Sequence, residues 1–249
     1  NVVHGEEAIA SCMMEDRDIK GICFVGSTPV GKEIYRKCGE TGKRVVAQAG
    51  AKNFLLIMPD ANLESTIAAC MTSFYGNAGQ RCLSGANLLV VGEGLNEREY
   101  KAFYEKVVTA FVDAARKIRV GYGLDESVQM GPLRDKSKKE RVMGFISKGV
   151  EEAAKLRLDG RNIKLVGDWP HTCFLNPTVF DDVTADMTIC KEEIFGPVAS
   201  IMRARNLDES IEMIHGNPFG NAASIFTSSG KLAREFQYRV QCGNIGINI

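Results

Sequence analysis

Strand-sized apolar runs alternate with helical stretches along nearly the whole chain, and that alternation leaves few folds open to it. Residues 6-EEAIASCMMED-16 suit a helix, 21-GICFV-25 a buried strand and 28-TPVGKEIYRKC-38 a second helix, with further strands at 44-RVVAQ-48 and 53-NFLLIM-58. A strand–helix–strand series with short loops predicts an α/β fold with a parallel sheet. In 63-LESTIAACMTSFYGNA-78, Ile67, Met71, Phe74 and Tyr75 fall on one helical face, and 86-ANLLVV-91 follows as a strand. The longer helix expected over 96–120 opens with Asn96 as cap and Glu99 at the capping-box position. A charged helix is expected over 135–155. Beyond it, strands at 177–180, 197–204, 223–227 and 244–249 alternate with helices at 207–215 and 230–240. Gly50-Ala51-Lys52 separates two strands, so a domain boundary is expected there, giving 1–50 and 51–249.

Composition removes several classes of function. There are 31 basic and 31 acidic side chains among 249 residues, a balance that gives no reason to expect nucleic acid or an anionic membrane as partner. The apolar runs are far too short to span a bilayer, and no charged-then-apolar leader opens the chain. Eight cysteines without a C-x-x-C pair, and only three histidines, give no metal-ligand pattern. In a chain with a large core such cysteines are expected to be reduced, buried small hydrophobes.

Three segments have chemistry in them. The first, 26-GSTPVGKE-33, begins like a P-loop but puts Glu33 where the Mg²⁺-binding hydroxyl belongs, and a carboxylate there repels phosphate. Ser27 still stands at a helix N-terminus, where free N–H groups favour an anion such as a pyrophosphate; the plainer reading is that it only caps the helix. The second, 76-GNAGQRC-82, sets Cys82 on a tight loop after Arg81, whose charge would favour the thiolate if it reaches the sulfur. A packed loop cysteine beside a surface arginine is the alternative. In the third, 192-EEIFGPV-198, an acidic pair precedes a strand, and taken alone it is read first as an exposed surface feature.

Together, and in this order, the segments resemble the aldehyde dehydrogenase superfamily. The family's strand ending in F-x-G-S-T-x-x-G appears as 24-FVGSTPVG-31, and its K-R-V-x-x-x-x-G-x-K stretch as 43-KRVVAQAGAK-52. Its nucleophile loop appears as 79-GQRC-82 and its acidic box as 192-EEIFGPV-198, supported by 217-NPFGNAASIFT-227 and 243-GNIGIN-248. The resemblance implies an aldehyde-dehydrogenase-like α/β fold: residues 1–50 as the C-terminal part of a Rossmann-type NAD-binding domain, and residues 51–249 as a catalytic domain with a mostly parallel sheet. It implies Cys82 as the nucleophile, Ser27 near the NAD pyrophosphate, Ala49 near the nicotinamide, Glu193 on the nicotinamide ribose, and Phe195 packed beside that ribose and ring. No metal is implied.

Details such as 49-AGAKN-53, 58-MPDAN-62 and 158-LDGR-161 resemble the methylmalonate-semialdehyde dehydrogenase branch. Most of the family carries at position 48 a glutamate that activates water; here Gln48 offers an amide, which cannot act as a general base at neutral pH. The branch that the chain resembles hands its acyl group to coenzyme A instead. The implied reaction is oxidation of methylmalonate or malonate semialdehyde, through a Cys82 thioester, to propanoyl-CoA or acetyl-CoA. Arg81 is a candidate for holding the substrate carboxylate.

Asn1–Gly5 match a point inside the family's cofactor domain, and the resemblance stops before its final segments, so roughly half of the family's chain is expected here. The first cofactor strands and an oxyanion-binding asparagine would lie outside it. Two other readings stay open: a hydrolytic, coenzyme-A-independent dehydrogenase using another base such as Glu193, and a catalytically silent fragment on the same fold. A small aldehyde substrate, homo-oligomerisation at full length, and the cytosol or mitochondrial matrix complete the expectations.

Overall fold

A computed structural model describes residues 1–249, and the chain divides into two units, Asn1–Gly50 and Ala51–Ile249. The first unit runs α1 (Glu7–Glu15), β1 (Gly21–Val25), α2 (Thr28–Glu40) and β2 (Arg44–Gln48). β1 and β2 pair in parallel from Gly21–Arg44 to Val25–Gln48, as a strand–helix–strand crossover requires. Ile22, Phe24 and Val45 pack against Met14, Ile34 and Cys38 of the helices. The alternate positions Cys23, Val25 and Val46 are exposed. β1 is therefore not the buried strand its apolar run suggests: its helices cover one face of the two-stranded sheet, so burial alternates with the period of two.

The second unit contains β3 (Asn53–Ile57), α3 (Leu63–Tyr75), β4 (Gly85–Val91), α4 (Glu97–Arg116), β5 (Val120–Gly121), α5 (Lys136–Glu151), β6 (Lys155–Leu158) and β7 (Leu165–Val166). It continues with β8 (Thr178–Asp181), α6 (Thr188–Lys191), β9 (Val198–Ala204), α7 (Leu207–His215), β10 (Ala222–Phe226), α8 (Gly230–Arg239) and β11 (Asn244–Ile247). Seven strands form one sheet in the order β11-β10-β3-β4-β9-β8-β6. Every neighbouring pair is parallel except β6 with β8. β5 and β7 pair separately.

β3 is buried along its whole length, as expected for a central strand covered on both faces. α4 lays Tyr104, Val107, Val108, Phe111, Val112 and Ala115 into the core at helical spacing. Phe111 meets Phe74 of α3 edge-on, with ring centroids 5.3 Å apart. Each such fully buried large side chain contributes roughly 1.5–3 kcal/mol. The Asn96–Glu99 capping box forms with both bonds at 3.0 Å.

Two of the expected helices end early. α4 stops at Arg116 and α5 at Glu151, after which Ala153 adopts φ 65° and turns the chain into β6. Neither β6 nor the two-residue strands β5 and β7 is announced by the sequence pattern. Arg157 of β6 is held by the buried Asp181 carboxylate at 2.9 Å, which ties this antiparallel edge strand to β8. No helix is long and apolar enough to cross a membrane.

Candidate active site

In the first unit, Ser27 and Ala49 follow the carboxyl ends of β1 and β2, the edge at which parallel sheets offer ligand sites. The Gly26 N–H donates to the Gln48 carbonyl at 3.1 Å and joins the two strand ends. Ser27 occupies the N-cap position of α2, but its side chain makes no capping bond, so the plain capping reading does not hold for its hydroxyl. Ala49 is half-buried and Gln48 exposed. The Gly50 N–H donates to Thr28 Oγ1 at 3.1 Å, holding this turn under the first turn of α2.

In the second unit a shallow cleft brings together Cys82, Glu193 and Phe195, with Lys52, Asn53, Arg81 and Ser84 also in its wall. It lies at the amino ends of β3, β4 and β9, opposite to the usual edge. What builds it there is the connection from α3 to β4. After Tyr75 the chain tightens into a 3₁₀ turn over Gly76–Gly79, with Asn77, Ala78 and Gly79 all at positive φ. Two successive non-glycine residues in that region store strain of order 1–2 kcal/mol each. Gly79 has no alternative: a Cβ on it would stand 2.3 Å from the Gly196 carbonyl oxygen, so the nucleophile loop and the acidic box meet backbone to backbone.

Side chains then fix the loop. Gln80 accepts from the Arg134 N–H at 2.9 Å and donates to the Asn77 and Pro132 carbonyls at 3.1 and 3.2 Å. Arg81 donates to the Thr72 and Ser73 carbonyls at 2.6 and 3.0 Å. That places its guanidinium on the C-terminal turn of α3, where the helix dipole favours a cation, and its first task is structural. Cys82 is exposed, and its carbonyl accepts from Asn53 Nδ2 at 2.9 Å and from Asn221 Nδ2 at 2.8 Å. The buried Asn53 also donates to the Ser84 carbonyl at 2.8 Å and accepts from the Ala222 N–H at 3.1 Å. Two amides 168 residues apart in sequence thus seat one nucleophile loop.

The acidic pair is not an exposed surface feature. Glu192 is exposed, but Glu193 is half-buried and accepts the Ala51 N–H at 3.0 Å. Burial pushes its carboxyl up from the ordinary glutamate value, against the Ala51 N–H, Arg141 and Lys52. Arg141 donates to the Glu193 and Ile194 carbonyls at 2.8 and 2.7 Å, which holds the box in place. Phe195, at φ 57° and 43% exposed, presents its ring at the surface of the cleft.

Of the eight cysteines, all free, only Cys38, Cys70 and Cys190 are buried. The expectation that they would generally be core residues is corrected, since Cys12 and Cys23 as well as Cys82 are exposed. Burial pushes the Cys70 thiol up to about 12 and raises that of Cys190 as well. No three or more His, Cys, Asp or Glu side chains cluster as metal ligands would.

The sequence reading passed over Lys52, Asn53, Ser84, Arg141 and Asn221. Lys52 is 2% exposed, and burial pushes its ammonium down to about 8 although the fields of Cys190, Glu193 and Glu192 oppose it. Its only signal in the sequence was the terminal lysine of 43-KRVVAQAGAK-52.

Known proteins are similar to this chain along its full length. The chain is 41% identical over 249 residues to a malonate-semialdehyde dehydrogenase of Geobacillus kaustophilus, covering all of this chain and 49% of that protein. It is 40% identical to a mitochondrial, acylating methylmalonate-semialdehyde dehydrogenase of Arabidopsis thaliana, of which it covers 39%. A crystal structure from Sinorhizobium meliloti, assigned as a methylmalonate-semialdehyde dehydrogenase and complexed with NAD, superposes with a TM-score of 0.92 at 36% identity. That superposition covers 98% of this chain and 48% of the other. A methylmalonate-semialdehyde dehydrogenase from Oceanimonas doudoroffii gives 0.92 at 33% identity, with the same coverage. The chain thus spans about half the length of most of these relatives. The profile of the aldehyde dehydrogenase family matches residues 1–249, and the chain belongs to that family.

Proposed function

We propose that this chain carries the nucleophile part of an NAD-dependent, coenzyme-A-acylating dehydrogenase of malonate or methylmalonate semialdehyde, with residues 1–50 as part of its NAD-binding domain and 51–249 as its catalytic domain. The observation that carries the reading is Cys82: exposed, set on a strained loop, and seated through its carbonyl by Asn53 and Asn221 in one cleft with Glu193 and Phe195. The names and the NAD complex of the relatives support it.

The Cys82 thiolate attacks the aldehyde carbon, forming a C–S bond and an oxyanion that a backbone N–H near Cys82 stabilises. NAD, when bound, takes the hydride from that carbon, which leaves a thioester on Cys82. Each unit offers the dinucleotide partners of its own. Ala51 engages one oxygen of the Glu193 carboxylate, leaving the other for the ribose hydroxyls, and Phe195 offers a ring beside it. Ser27, its hydroxyl unused in capping, would meet the pyrophosphate, and Ala49 the nicotinamide. Loss of the substrate carboxylate as CO₂ breaks a C–C bond and leaves an enolate that takes a proton from water. The coenzyme A sulfur then attacks the thioester carbon, breaking its bond to Cys82, which leaves as the thiolate and takes up the proton of the coenzyme A thiol. Arg81 lines the cleft and is the candidate partner of the substrate carboxylate.

Gln48 supports acyl transfer over hydrolysis, because an amide does not deprotonate water. One observation favours the hydrolytic alternative: the raised Glu193 carboxyl in the same cleft is a stronger base than an ordinary glutamate. Turnover of the full-length protein with and without coenzyme A separates the two. We place the protein in the cytosol or mitochondrial matrix, in line with its bacterial and mitochondrial relatives, and expect a homo-oligomer at full length, to be read by sedimentation.

A further inference from the structure

Two polar atoms in the wall of the cleft, Lys52 Nζ and Ser84 Oγ, are buried without a hydrogen-bond partner. For a hydroxyl the cost is modest. A buried ammonium without a partner is expensive unless an opposite charge offsets it. The groups whose charge reaches Lys52 are Cys190, Glu193 and Glu192. Cys190 is a buried thiol whose pKa burial raises, so it stays neutral, and Glu192 is exposed, where solvent screens it. Glu193 remains. From its own side, Glu193 is faced by the Ala51 N–H, Arg141 and Lys52. The charge of Arg141 also bears on the carboxylate, but its hydrogen bonds go to the main-chain carbonyls of Glu193 and Ile194, whereas the Lys52 ammonium has no other partner.

We propose that Lys52 is a positioning residue: beside Arg141, its buried ammonium is a counter-charge that keeps the Glu193 carboxylate ionised in the wall of the cleft, as the acceptor for the vicinal hydroxyls of a dinucleotide ribose. This rests on the NAD reading above. Burial has already brought the Lys52 ammonium down to about 8. Its proton, and with it the counter-charge, is therefore lost as the pH rises through that value, and dinucleotide affinity falls on the alkaline side.

The test is NAD binding to the full-length protein by isothermal titration calorimetry, from about pH 6.5 to about pH 9.5, for wild type, Lys52→Met, Lys52→Arg, Glu193→Gln and the Lys52→Met/Glu193→Gln double variant. At neutral pH Lys52→Met is expected to weaken NAD about tenfold, and Lys52→Arg to recover part of that. In the Glu193→Gln background the same change is expected to cost less than about twofold, because the carboxylate it serves is gone. Wild-type affinity falls above about pH 8, whereas the Lys52→Met curve stays flat there. Equal NAD affinity of Lys52→Met and wild type, full additivity in the double variant, or coincident pH curves would each overturn the proposal while leaving the NAD reading standing. Wild-type protein that does not bind NAD overturns both. Methionine matches the length of the lysine stem but takes a counter-charge from the half-buried Glu193 carboxylate, which costs stability. If that variant does not fold, Lys52→Arg and the wild-type pH profile decide.

Discussion

Asn53→Ala gives the sharpest test of how the nucleophile loop is held. The Asn53 side chain makes three bonds: to the Cys82 carbonyl at 2.9 Å, to the Ser84 carbonyl at 2.8 Å, and from the Ala222 N–H at 3.1 Å. Truncation does not strand the Cys82 carbonyl, which keeps Asn221. It strands the Ser84 carbonyl and the Ala222 N–H, at roughly 1–3 kcal/mol each when desolvated, so the expected loss is about 2–6 kcal/mol. Asn221→Ala removes only one of the two donors to the Cys82 carbonyl and should cost roughly 0.5–1.5 kcal/mol. Urea titration of the full-length protein measures both. In the folded Asn53→Ala variant, displacement of the loop should also lower kcat by about a hundredfold, as a misplaced reacting group does. The reasoning fails if Asn53→Ala costs less than about 1 kcal/mol, or if the two variants are equally destabilised.

Cys82→Ala should abolish NADH formation by the complete protein, and activity within about tenfold of wild type, 1.36 kcal/mol in barrier, would rule out Cys82 as nucleophile. Iodoacetamide should alkylate Cys82 faster than Cys12 and Cys23, since these are exposed too, whereas burial alone protects Cys70 and Cys190; equal rates at the three exposed thiols count against an activated thiolate. With Gln48 the acyl-enzyme should hydrolyse slowly and turnover should rise sharply with coenzyme A; Gln48→Glu should raise coenzyme-A-independent release by up to ~10²–10⁴-fold. Identical wild-type turnover with and without coenzyme A sinks that argument. Gly79→Ala sets a Cβ 2.3 Å from the Gly196 oxygen and strains φ 69°, so a loss of more than about 2 kcal/mol is expected in urea titration. A neutral result would mean that the two loops can separate. Lys52 is held near 8 in the fold against 10.5 unperturbed, so between these values the unfolded chain binds the extra proton and folding gains stability as pH rises. Wild-type stability relative to Lys52→Met should therefore increase over that window, and a flat difference in urea midpoint contradicts the buried-ammonium assignment.

Local periodicity was enough for most of the elements. The apolar run of β3, the core face of α4 and the Asn96–Glu99 capping box depend on residues within one or two turns of each other, so the sequence displays them directly. The candidate motif residues were equally visible, because glycines, a cysteine and paired carboxylates in a fixed local order need no partner to be recognised. Tertiary structure decided the rest. β1 reads as a buried strand but alternates, because burial depends on how many faces neighbours cover. β6 joins the sheet antiparallel only because Ala153 reverses the chain and Asp181 receives Arg157. Arg81 stands next to the nucleophile in sequence, yet its guanidinium is bound by the end of α3. Asn53 opens β3 and Asn221 stands just before β10, and only the pairing of those strands brings both amides to the Cys82 carbonyl. Lys52 has the composition of a surface residue and the burial of a core one. A hydrogen bond or a desolvated charge is a relation between groups distant in sequence, whereas hydrophobic period and cap are relations between neighbours, and only the neighbours are written in order along the chain.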